Sequence, residues 1–102
     1  AEDDEFEFAG VTPAPSIAIK APRVKEALVN FECKLEETLS PGGSTNTLVI
    51  GRVIHIHIDD SILLDNYRID MDALDPVGRM SGPSYTTTRD RFEFKRPPSQ
   101  RR

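Results

Sequence analysis

A chain of 102 residues, 37% hydrophobic and 29% charged, holds one small folded domain at most and is too apolar for a disordered polymer. Its net charge of −4 combines an acidic beginning (Glu2, Asp3, Asp4, Glu5, Glu7) with a basic end (Arg89, Arg91, Lys95, Arg96, Arg101, Arg102). No apolar run approaches the roughly 20 residues that span a bilayer, no secretory-signal succession opens the chain, and the single cysteine, Cys33, forbids an internal disulfide and suits a reducing, cytoplasmic compartment.

In chain order, Glu2 to Ala9 predicts a short helix, because acidic residues favour its first turn and Gly10 can stop it in the left-handed region. Thr12-Pro13-Ala14-Pro15 reads as an extended linker and Ser16 to Lys20 as a short alternating strand. Ala27 to Leu39 alternates: Val29, Phe31, Cys33, Leu35 and Leu39 share one face, and Asn30, Glu32, Lys34 and Glu36 the other. Ser40-Pro41-Gly42-Gly43-Ser44 has turn composition. Leu48 to Ile58 then returns with Leu48, Ile50, Ile54, Ile56 and Ile58 in phase and His55 and His57 opposite, which predicts an antiparallel hairpin.

Downstream, Ile62 to Leu64 is no more than a helical turn, Asp65-Asn66 a second turn, and Asp70 to Leu74 a one-turn helix followed by Pro76. Val77 to Tyr85, with Gly78, Gly82 and Pro83, reads as an irregular loop, and Thr86 to Phe94 as a short strand or helix. Residues 98–102 form a basic tail expected to be disordered. No stacking platform or nucleic-acid motif accompanies it, so neither nucleic acid nor membrane is expected as a partner. The fold class is all-β, β-dominated with short helices. Three or four strands are too few to close a barrel, so further strands or a partner chain are expected.

Three groups of residues could carry chemistry. His55 and His57 share a strand face and could begin a metal site, with Asp59 in phase as a third ligand. A catalytic ion wants three protein ligands with support behind them, so no metal is assigned and the histidines are read as polar residues on a solvated face. An imidazole there could still assist proton or hydride chemistry. Cys33, on the apolar face, is read as a buried structural thiol. The loop from Pro76 to Tyr85 offers the Arg79 guanidinium, Ser81, Gly82 and the Tyr85 ring, a combination suited to a planar anionic ligand.

Taken in order, Phe6 to Pro13 (FEFAGVTP), Ser16, Lys20, Pro22-Arg23-Val24, Phe31-Glu32-Cys33-Lys34-Leu35, the LVIGRVIHIHIDD strand, Pro76-Val77-Gly78-Arg79 and the Tyr85-to-Pro97 ending resemble flavin reductase-like, FMN-binding split-barrel proteins. This family includes flavoredoxins and the reductase components of two-component monooxygenases. The resemblance implies that residues 1–97 are the C-terminal half of a six-stranded split β-barrel domain. Its N-terminal half would then be supplied from outside these residues, and the opening on Ala1 is expected of a processed or cleaved product.

The resemblance further implies FMN as cofactor, NAD(P)H as substrate, a homodimer, and hydride transfer to the flavin by the completed protein, with little activity from this half alone. Arg79, Ser81, Gly82 and Tyr85 match the family's flavin-side loop, and His57 matches a strand position that can act in catalysis. Arg52 stands where the family more often has an acidic residue. Two other functions are compatible with the same residues: a non-catalytic flavin-binding or electron-carrier protein, and a β-barrel interaction module.

Overall fold

The structure, a computed structural model, describes residues 4–98. It divides into two compact units, Ala1–Ser61 and Ile62–Arg102.

The first unit opens with α1, Glu5–Ala9. Asp4 caps it by accepting from the Phe6 amide at 3.0 Å, and Gly10 ends it at φ 76°. The helix therefore ends where expected but starts three residues later than the sequence suggested, directly after the residue whose carboxylate caps it. The short strands β1 (Pro13–Ala14) and β2 (Arg23–Val24) pair antiparallel. The strand expected over Ser16 to Lys20 does not form. That segment bends, and the Ile17 and Ala18 amides turn to a carboxylate instead of a strand partner.

The predicted hairpin forms: β3, Val29–Leu39, pairs antiparallel with β4, Leu48–Ile58. Its connection includes the turn Pro41–Gly43, where Gly42 and Gly43 adopt φ of 64° and 70°, a region that favours glycine. Register shifts leave Glu36 unpaired on β3 and Ile54 unpaired on β4. One extra residue on each strand cancels the other, so Leu39 opposite Leu48 at the turn end leads to Glu32 opposite His55 and Asn30 opposite His57 at the far end. Arg52 bridges Glu36 across the hairpin with two hydrogen bonds of 2.8 and 3.0 Å.

In the second unit, an isolated bridge joins Leu63 and Ile69 around the turn Asp65–Tyr67. α2, Met71–Leu74, is capped by Asp70, which accepts from the Ala73 amide at 3.2 Å. The segment read as an irregular loop is a second hairpin: β5, Val77–Arg79, pairs with β6, Tyr85–Thr87. Its turn closes through Met80 N–H to Ser84 O and Ser84 N–H to Ser81 O, both 2.9 Å, with Gly82 at φ 56°. Glycine and proline, read as loop punctuation, here make the turn between two three-residue strands.

Strands dominate and helices are short, as expected for the fold class, and among the described residues no sheet has more than two strands or closes into a barrel. The accessible surface is 9236 Å², against roughly 5,800 Å² for a folded monomer of this mass. Among the described residues only Ile62 and Glu32 are buried. Phe31 is 60% exposed, Leu35 70% and Ile56 50%, so the apolar face of the β3–β4 hairpin lies open. Cys33 is exposed with it, which corrects the reading of a buried thiol: its face is apolar but uncovered.

Candidate functional site

The sheltered face of the β3–β4 hairpin is the polar one. Asn30 lies opposite His57 and Glu32 opposite His55, and directly opposed residues of an antiparallel pair project to the same side. His55 and His57 are half-buried while the isoleucines beside them are exposed. The expectation of histidines on a solvated strand face is thus overturned. The physical reason is the segment after β1, which folds against this face instead of running as a strand.

Glu32 holds that arrangement together. Its side chain is 1% exposed, and it accepts from the Ala18 amide through Oε1 at 2.7 Å and from the Ile17 amide through Oε2 at 2.8 Å. The same Oε2 faces His57 Nε2 at 2.5 Å. Burial is the largest influence on the Glu32 carboxyl and pushes its pKa up. The hydrogen bonds from His57, Ile17 and Ala18, with the charge of His57, more than reverse this and lower it from 4.5 to about 2. A carboxylate ionised at neutral pH facing Nε2 places the proton on that nitrogen, which in the neutral ring leaves Nδ1 as the acceptor.

Around this pair the backbone is fixed by Asn30, whose side chain accepts from the Val24 amide and donates to the Val24 carbonyl, both at 3.2 Å. His55 packs edge-on against His57, with ring centroids 4.7 Å apart. His57 also borders an open pocket of about 530 Å³, with Arg23, Lys25, Asn30, Asp59 and Asp60 among its other lining residues. Asp59, weighed in sequence as a third metal ligand, instead accepts from the Ser61 amide at 2.9 Å and takes no part in the cluster.

Glu32 is the residue of this cluster that sequence reasoning missed. It had been placed on the polar face of its strand, but the carboxylate matched to the histidines was Asp59. Counting the hairpin register outward from the turn would have set it opposite His55.

The other four predicted residues belong to the second unit, and the β5–β6 hairpin brings them together. Arg79 and Tyr85 are directly paired, and Ser81 and Gly82 lie in the turn between them. Tyr85 is 61% exposed, and among the described residues the Arg79 guanidinium makes no ion pair. A Cβ at Gly82 would meet nothing within 4 Å, so its backbone is open to approach.

A family model described as flavin reductase like domain matches residues 1–74. An uncharacterised protein of Halalkalibacterium halodurans is 36% identical over 94% of this chain and 47% of its own length. One from Aquifex aeolicus is 40% identical over 82% of this chain and 42% of its own. The chain spans about half the length of the curated relatives it matches.

Among solved structures, nitrilotriacetate monooxygenase component B from Bacillus cereus superposes with a TM-score of 0.78 at 35% identity, over 88% of this chain and 46% of that one. A Shewanella frigidimarina protein described as having a split barrel domain gives 0.76 at 29% identity, over 94% and 48%. Flavoredoxin of Desulfovibrio vulgaris gives 0.75 at 28% identity, over 92% and 49%. The β5–β6 hairpin lies beyond the segment that the family model matches.

Proposed function

The chain belongs to the flavin reductase like domain family, and from that premise we propose that it forms half of an FMN-binding oxidoreductase that takes hydride from NAD(P)H. Its β-dominated fold is part of a split barrel, without closure in this half. The proposal extends to residues 1–97 as the C-terminal half of that domain, completed by an N-terminal half, working as a cytoplasmic homodimer. No helix among the described residues is long and apolar enough to cross a membrane.

What supports a flavin on this chain is the chemistry of the second hairpin. A guanidinium without an ion-pair partner among the described residues suits a phosphate, an exposed phenol ring offers a face to a planar heterocycle, and the open backbone at Gly82 admits close contact. Arg79, Ser81, Gly82 and Tyr85 would hold the FMN. When bound, flavin supplies the hydride-accepting chemistry, and the protein supplies position and charge. His57, oriented by Glu32 through Nε2, would serve as the catalytic proton-handling group through Nδ1.

The single observation carrying the proposal is the match to the flavin reductase family model, joined by the flavoredoxin and monooxygenase-component structures. FMN titrated into the complete domain should quench with one-to-one stoichiometry, and the double substitution Arg79→Ala with Tyr85→Ala should weaken binding at least about 10-fold, the loss of one charged contact and one stacking contact. A complete domain that stays colourless at high FMN overturns the reading. The flavoredoxin match favours a second reading, a flavin-bearing electron carrier without reductase turnover. Steady-state NAD(P)H oxidation with free FMN as acceptor separates the two, since fast turnover rejects the carrier.

A further inference from the structure

We propose that Glu32, His55 and His57 form a binding site for a divalent ion of the zinc class, built from residues other than the flavin-side set Arg79, Ser81, Gly82 and Tyr85. Each residue offers one ligand atom, and these atoms all lie within 4.8 Å of one another. Two imidazoles and one carboxylate are donors that borderline ions such as zinc prefer, and three protein ligands leave a fourth position for water.

The cluster is built and does not depend on chance proximity at a surface. The two histidines stand two residues apart on β4, so strand geometry sends both rings to one side. Glu32 reaches them from β3 and is buried, with two backbone amides fixing its carboxylate plane. Those amide bonds use one lone pair on each oxygen, and among the described residues Oε1 accepts nothing else, which leaves it a lone pair for a metal. Bonds of about 2.0–2.2 Å require ligand atoms no more than about 4 Å apart, so small imidazole rotations close the set. As the ion takes Nε2, the ring proton held toward Glu32 moves to Nδ1, so the imidazole stays neutral and the carboxylate keeps its charge for the ion.

The pocket beside His57 provides an approach. Its lining cations, Arg23 and Lys25, are matched by Asp59 and Asp60. His55 makes no side-chain hydrogen bond among the described residues, so in the ion-free chain its ring has no competing bond to break.

The test is a Zn²⁺ titration of the tag-free chain against a chromophoric chelator, without flavin. The expected result is one ion per chain, with affinity reduced at least about 10-fold in His55→Ala and in His57→Ala, each removing one of three ligands. His55→Ala leaves the hydrogen bonds of Glu32 intact, and an unchanged far-ultraviolet circular dichroism spectrum will separate ligand loss from unfolding. Substoichiometric binding, wild-type affinity retained in either histidine variant, or loss of binding in Cys33→Ser overturns the proposal, the last by assigning the ion to the exposed thiol. Because no flavin is present, failure here leaves the FMN titration untouched, and failure of that titration leaves this one standing.

Discussion

Glu32 shows how one buried carboxylate can organise residues distant in sequence. It is fifteen and fourteen positions from the two amides it accepts and twenty-five from the imidazole it faces. Its folded-state pKa lies below its ordinary value, so between about pH 4.5 and about 2 the unfolded chain binds more protons than the folded one. Stability from this group is complete above that window and is lost as pH falls through it. Thermal melts taken with a chelator present should show the wild-type midpoint dropping steeply across this range. In Glu32→Gln that acid-dependent slope should be absent and the neutral-pH midpoint already lower, because an amide NH₂ would face a backbone N–H donor. A wild-type slope retained in Glu32→Gln contradicts the assignment.

At the scale of elements, local signals worked where the partner lies within a few residues. The α1 stop at Gly10, the one-turn helix before Pro76 and the Gly42-Gly43 turn were all legible, because each is a short-range demand on φ or on an orphaned amide. Gly10 gives a clean check. A Cβ there would touch nothing within 4 Å, so Gly10→Ala costs only the left-handed backbone penalty, about 1 kcal/mol. The amides of Gly10 and Val11, which bond to Glu7 O and Phe6 O, should then exchange with solvent about fivefold faster, by that same energy. The elements misread were those whose partners lie further off. Ser16 to Lys20 has strand alternation but is turned aside by Glu32, and Val77 to Tyr85 looked irregular because its strands are only three residues long.

Over the whole molecule, the apolar residues have far too little to cover them. Ile62 is the one buried apolar side chain among the described residues, while Phe31, Leu35, Val49 and Ile56 are each at least half exposed. Contiguous apolar surface of this kind marks an interface, and under the proposed function it is the other half of the domain that would cover it. The 102-residue chain alone should therefore self-associate at micromolar concentration in light scattering. Phe31→Ser with Ile56→Ser should shift it toward monomer, without disturbing the polar face where His57 meets Glu32. A wild-type chain that stays monomeric at high concentration speaks against this account.

The sequence by itself determined the hairpin, its turn, the stop of α1 at Gly10 and the family, because periodicity, glycine and proline placement, and the order of segments are properties of neighbouring residues. Only the tertiary structure decided which face of that hairpin is sheltered and which carboxylate meets the imidazoles. Alternation makes two faces without saying which will be covered, and the cover comes from backbone amides about fifteen residues away.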